Sequence, residues 1–298
     1  MPAEQPSEPS PRRPERGPID LEVAAPVRAP NLPGTVVVRD TDDLLDVMTA
    51  DLLLHAQQCV RTFGDFHLAL SGGSTPLPFY RRLMYDPAAR EFPWRRTHLW
   101  IVDERCVPLD DDRSNFKAIE GLIVEQSDIP RAQVHPVPAT EPDGADLYER
   151  ELGETLVWRE RGHDRLDYAL LGMGADAHTA SLFPRSPALR ASLEDLATPR
   201  APAGGVPRRV MANSGEGVTP PPRITMTLSF LNASRFIAVL VTGASKRPTL
   251  ARVAGVYAAD PSTAPALDLP ILGVRPRAGE LRWYLDREAC PAGTPSGT

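Results

Sequence analysis

The sequence lacks the paired cysteines that a disulfide framework or a zinc site needs. Cys59, Cys106 and Cys290 are odd in number, and no two stand in a C-x-x-C spacing. Reduced thiols fit a cytoplasmic protein, and that location is expected. No apolar run approaches the ~18 residues of a membrane span, and no basic stretch followed by an apolar one opens the chain, so neither a membrane helix nor a secretory signal is expected. A basic block is missing as well. With 33 Lys and Arg against 39 Asp and Glu the net charge is −6, and outside the short "PRRPER" there is no basic cluster, which argues against a nucleic-acid surface. A small anion stays open as a ligand, because a few local donors matter more to it than net charge.

What the chain does have is proline, 33 in 298 residues, nine of them before residue 35. The opening "MPAEQPSEPSPRRPERGPID" has almost no apolar periodicity and cannot bury enough surface to offset the entropy of ordering. Residues 1–34 therefore read as a disordered, partly polyproline extension, and 291–298 as a frayed C-terminus. Between them apolar strands alternate with helices. "GTVVVRD" reads as a strand, and Thr41 to about Thr62 as an amphipathic helix, with Asp42 and Asp43 at its positive end and Leu45, Met48, Leu52 and Ala56 at helical spacing. "FHLALSGGSTPLPFYRRL" is a strand, two glycines and a helix with Thr75 as cap and Pro76 in its first turn. "THLWIVDERCVP" and "LDYALLGMGADAHTASL" supply further strands, the second leading toward a helix, and "RRVMANS", "RFIAVLVTGASKRPTLARV" and "LRWYLDRE" supply the later ones. "TPRAPAGGVPRR" and "SGEGVTPPPR" read as long surface loops. The alternation predicts an α/β fold, an open, mostly parallel Rossmann-like sheet with helices on both faces, in a single domain over 35–290.

In such a sheet ligands collect beyond the carboxyl ends of the strands, and four unusual loops begin there: "SGGSTP", "DERCVPLDDDRSNF", "GMGADAHTASLFP" and "TGASK". The first offers the Ser74 and Thr75 hydroxyls and the backbone N–H groups of Gly72 and Gly73 at a helix start, which suits an anion and equally suits a plain capped turn. It has neither G-x-G-x-x-G spacing nor a Walker lysine, and Pro76 takes the place of the last glycine of a nucleophile elbow. In the second loop Asp103, Glu104 and Arg105 leave the strand together, and Arg105 could present a planar fork of donors to a phosphate or simply pair with its neighbours. Lys246 in the fourth loop is a second candidate cation. In the third, His178 is the one group able to take a proton from water near neutral pH, with Asp176 two residues before it. Alone, that histidine could as well cap a helix.

Taken together, these loops resemble the 6-phosphogluconolactonase family, in the larger group that includes glucosamine-6-phosphate deaminases. "LSGGSTP", "WIVDERCVPLDDDRSNF", "LLGMGADAHTASLFP", "PPRITMTLSFLN", "VTGASK" and "VRPRAGELRWYLD" follow the family's order across about residues 35–289. The resemblance implies an enzyme of the oxidative pentose phosphate pathway that hydrolyses 6-phospho-D-glucono-1,5-lactone without a metal or organic cofactor. Apart from the resemblance, a monomer or weak homodimer is expected. The resemblance also implies that His178 is the general base, that Asp176 positions it or the substrate, and that Gly72, Gly73, Ser74, Arg105 and Lys246 hold the ligand, with Arg223 as substrate-side support; Thr75 and Asp103, from the same loops, are expected among the binding residues. Two positions depart from the family pattern. Ala177 replaces a usual glycine, which would strain the loop if its φ is positive, and Arg113 stands where an acidic residue is common.

Two other functions compete. An aminosugar-phosphate deaminase shares the phosphate site but resembles "GxGxDGHxAxNEP", with a glutamate where this chain has Phe183, and no carboxylate follows until Glu194. A non-catalytic phosphosugar sensor would keep the phosphate loop and could lose the base. This chain retains both Asp176 and His178 and has no helix-turn-helix segment before residue 35.

Overall fold

The computed structural model of the protein describes residues 29–157, 159–160, 163–197, 207–213, 222–261 and 265–291. The Pro-rich extension up to residue 28, most of both Pro/Gly-rich loops and the tail after 291 lie outside the described residues. In chain order the elements are β1 (Thr35–Arg39), α1 (Thr41–Phe63), β2 (Phe66–Leu70), α2 (Leu77–Tyr85), β3 (Thr97–Ile101), β4 (Asp103–Arg105), α3 (Asn115–Ile119), β5 (Val134–His135) and α4 (Gly144–Leu156). They continue with β6 (Tyr168–Gly172), α5 (Pro187–Ala197), β7 (Val210–Asn213), β8 (Arg223–Met226), α6 (Leu228–Leu231), β9 (Phe236–Val241), α7 (Arg247–Ala259) and β10 (Glu280–Asp286).

Seven strands form one parallel sheet in the order β1-β10-β9-β6-β2-β3-β5. β2 and β9, "FHLAL" and "FIAVLV", are buried along their whole length, as strands covered on both faces must be. From β2 the chain steps to β3 and β5 in one direction, while from β6 it steps to β9 and β10 in the other. Right-handed crossovers then leave the adjacent strands β2 and β6 toward opposite faces, which opens a crevice between their carboxyl ends. The amphipathic α1 behaves as its spacing predicts: Leu45, Met48, Leu52 and Ala56 are buried, and Asp42 and Asp43 sit in the first turn.

Three local expectations need correction. "THLWIVDERCVP" is not one strand, because the chain leaves the parallel sheet at Val102 and Asp103–Arg105 pair antiparallel with β8 in a second sheet of order β4-β8-β7. "RRVMANS" accordingly contributes β7 to that second sheet. Thr75 does not cap α2; Pro76 occupies the cap position, no side chain caps the helix, and Pro78 lies in the first turn. No helix follows directly from "GMGADAHTASL" either. Ala177, Ala180 and Arg185 hold φ of +70°, +49° and +60°, which a right-handed helix cannot accommodate, and α5 begins at Pro187.

Candidate active site

The crevice between β2 and β6 is a cavity of about 320 Å³, within the size range of small-ligand sites. Its walls come from the loops after β2, β3, β6 and β9. Eight of the ten predicted positions line it: Gly72, Gly73, Ser74, Thr75, Asp103, Arg105, His178 and Lys246. Since no side chain of the β2 loop is spent on capping α2, its hydroxyls and N–H groups stay available to an anion. Asp103 is buried and its Oδ2 accepts from Ser181 Oγ at 2.6 Å, so one hydrogen bond ties the β4 wall to the β6 loop.

His178 is held by its own loop. Its Nδ1 lies 2.6 Å from Asp176 Oδ1, which also accepts the His178 backbone N–H at 3.1 Å. A carboxylate on Nδ1 selects the tautomer whose Nε2 carries a free lone pair. Burial works to raise the Asp176 carboxyl, but the hydrogen bonds and charge of His178 outweigh it and hold Asp176 below the ordinary carboxylate range. The Gly174 N–H donates to the His178 carbonyl at 2.8 Å, and a β-carbon on Gly174 would fall 2.1 Å from His178 Nδ1 and 2.7 Å from Asp176 Oδ1. Only glycine lets the pair close over that position. From the other side Lys246 Nζ donates to the Met173 carbonyl at 2.8 Å and Thr249 Oγ1 to that of Ala175 at 2.6 Å. Burial lowers the Lys246 pKa, with the charge of Asp176 pulling the other way. Phe183 packs its ring on the imidazole, 4.7 Å between centroids.

The sequence model described as glucosamine-6-phosphate isomerases/6-phosphogluconolactonase matches residues 39–283, with every loop of this cavity inside the match. The chain belongs to this family.

Among its relatives is the 6-phosphogluconolactonase of Nostoc sp., 35% identical over 86% of this chain and 96% of that protein. The GDH/6PGL endoplasmic bifunctional protein of Homo sapiens is 35% identical over 91% of the chain. The chain spans about a third of the length of that human relative and of its rabbit counterpart, 32% and 29% respectively. Among solved structures, 6-phosphogluconolactonase from Thermotoga maritima superposes with a TM-score of 0.66 at 28% identity, covering 85% of this chain and 99% of that one.

Arg223 falls outside the cavity walls of this family member. It is buried in β8 opposite Arg105, where burial and the Arg105 charge both lower its pKa, and it borders a second cavity of about 680 Å³ beside Cys106. β4 supplies the wall residues Asp103 and Arg105, and Arg223 lies on β8, the next strand of the second sheet. Asp176 also stays off the lining, and its carboxylate reaches His178 Nδ1 instead. Asn115, Thr179, Ser181 and Thr249, which the sequence reading missed, and Glu104, to which it gave no site role, fix the walls or lie within them. The "SN" that follows the Asp-rich stretch was the available signal, since Ser114 is a helix cap.

A second polar cluster lies at the amino ends of β2 and β3, where Asp65, His67 and His98 come together. It does not fit a metal. His67 Nδ1 accepts from Trp100 Nε1 and its Nε2 bonds Asp65 Oδ2, both at 3.0 Å, while Asp65 is neutralised by Arg159. The His67 and His98 rings are stacked, 4.7 Å apart and 15° from parallel, so their in-plane lone pairs do not converge on one ion.

Proposed function

We propose that this chain hydrolyses 6-phospho-D-glucono-1,5-lactone to 6-phosphogluconate. The observation that carries the reading is the Asp176–His178 pair, 2.6 Å apart, opening onto a cavity that also holds Arg105, Lys246 and the glycine loop. Cation and N–H donors suit a phosphate, and an oriented imidazole suits a water. In the first step Nε2 of His178 takes a proton as water attacks the lactone carbonyl carbon. In the second the ring C–O bond breaks, and the proton passes from the imidazolium to the departing C5 oxygen, so the acid forms with no other reactant. Asp176 steadies the cationic ring between the two steps. A reactive ester makes modest demands, and positioning plus general-base catalysis meets them.

Phe183 supports hydrolysis over deamination, because an apolar ring packs on His178 where the isomerising relatives carry an acid. The same reading takes residues 35–290 as one catalytic unit, working as a monomer or weak homodimer on a small-molecule lactone, with no nucleic acid or membrane partner. A cytoplasmic setting is part of the proposal, supported by Cys59, Cys106 and Cys290 being free thiols. Among the described residues no helix is long and apolar enough to cross a membrane.

The test is a coupled assay with freshly generated lactone. His178→Ala is expected to lower kcat by about 10²- to 10⁴-fold, the range of a lost general base. Equal rates for variant and wild type would sink the assignment, and ammonia released from glucosamine 6-phosphate would favour the deaminase instead.

A further inference from the structure

Between the glycine loop and the strand that carries Arg105 lies a set of buried polar atoms that the chemistry above does not use. Glu104 is fully buried on β4 between Asp103 and Arg105. Side chains alternate along a strand, so Glu104 points away from the cavity wall its neighbours form. Its carboxylate meets four donors. Oε1 accepts from the backbone N–H groups of Arg105 and Asn115, each at 2.7 Å, and Oε2 from Ser114 Oγ at 3.0 Å and the Phe116 N–H at 2.8 Å. A carboxylate taken out of water persists only where donors replace the water, and here three of the four stand at the start of α3.

Asn115 extends the clamp. It is 3% exposed, its Nδ2 donates to the Asp103 carbonyl at 2.6 Å, and its Oδ1 has no hydrogen-bond partner among the described residues. That oxygen stands 2.0 Å from where a β-carbon on Gly72 would be, so the amide is wedged between β4 and the glycine loop. One residue before Ser114, the Arg113 carbonyl accepts from Arg105 Nη1 at 2.6 Å. The carboxylate that fixes residues 114–116 thus also sets the oxygen that aims Arg105.

We propose that Glu104 and Asn115 are positioning residues for the anion-binding half of the site, holding Arg105 and the Gly72 loop at the spacing that a sugar phosphate needs. The proposal rests on the lactonase reading for the identity of that ligand. Neither residue contacts the Asp176–His178 pair, so their loss should weaken binding and spare the chemical step.

Glu104→Gln keeps the shape but sets an amide NH₂ against N–H donors. It is expected to raise KM for the lactone and the inhibition constant of 6-phosphogluconate together, by about tenfold, with kcat within about threefold of wild type. Wild-type KM and inhibition constant would overturn the proposal, as would a loss confined to kcat. Gly72→Ala and Asn115→Ala form an independent cycle should Glu104→Gln fail to fold. Removing the amide makes room for the new methyl, so the double variant should bind no worse than Gly72→Ala alone, and additive losses would overturn the wedge. Amide hydrogen exchange at Asn115 and Phe116 separates the two readings. Faster exchange in Glu104→Gln reports the clamp even if wild-type protein leaves the lactone intact, which would sink the activity alone, whereas unchanged exchange overturns the clamp.

Discussion

Ala177 carries a methyl group where its backbone, at φ +70°, favours none, and that methyl is fully buried. The left-handed conformation costs alanine about 1 kcal/mol, while burying one methyl contributes about 0.8 kcal/mol and a more restricted unfolded chain a few tenths more. These terms nearly cancel. Ala177→Gly is therefore expected to change unfolding free energy by less than about 1 kcal/mol in urea titrations, and a gain above about 2 kcal/mol would show that strain dominates. Ala177, Ala180 and Arg185 are the only non-glycine residues with positive φ among the described residues, and all three fall in the loop that carries His178. Strain concentrated in this way marks a loop shaped by its surroundings rather than by local preference. Sequence comparison with the family pattern flagged Ala177 from its missing glycine, but Ala180 and Arg185 carry no such signal.

At the scale of elements, the loop after β6 owes its shape to α7 and the turn before it. Thr249 and Lys246 hold the carbonyls of Ala175 and Met173, immediately before Asp176 and Gly174. Thr249→Val keeps the volume and leaves the Ala175 carbonyl without this donor. We expect a stability loss of about 1–3 kcal/mol by urea denaturation, with a larger fall in kcat than rise in KM, because the loop so released carries His178, the proposed base. A kcat equal to wild type would show that the clamp is dispensable to the pair. β4 teaches the same lesson. The apolar run through "THLWIV" announced a strand, but its break at Val102 depends on β8, a partner more than a hundred residues away in the chain. Glu104, read from sequence as one of three charges leaving a strand, finds its donors only because the break turns it toward α3.

At the scale of the molecule, the parallel sheet separates two polar regions, the cavity at the carboxyl ends of its strands and a ladder of histidines near their amino ends. His67 stacks on His98, His98 Nδ1 lies 3.0 Å from His135 Nε2, and His135 Nδ1 lies 2.6 Å from Glu151 Oε1. Burial, followed by the charges of His67 and His98's other neighbour His135, lowers the His98 pKa from its ordinary 6.5 to about 4. The unfolded chain therefore binds a proton before the folded one does, so this contribution to stability is complete above pH 6.5 and lost as pH falls to about 4. Urea midpoints measured across that window should fall less steeply for His98→Gln than for wild type, and identical slopes would exclude His98 as a source of acid sensitivity.

The α/β class, the parallel sheet, the family and eight of the cavity's lining residues were legible in the order of residues, because hydrophobic period and glycine-rich strand ends are local properties. The departure of β4, the absence of a helix directly after "GMGADAHTASL", the position of Arg223 outside the cavity walls and the Glu104–Asn115 clamp were not. Each depends on which distant segment lies alongside. A strand's partner, a buried carboxylate's donors and the space beside a glycine exist only once the chain has closed on itself, so no local pattern encodes them.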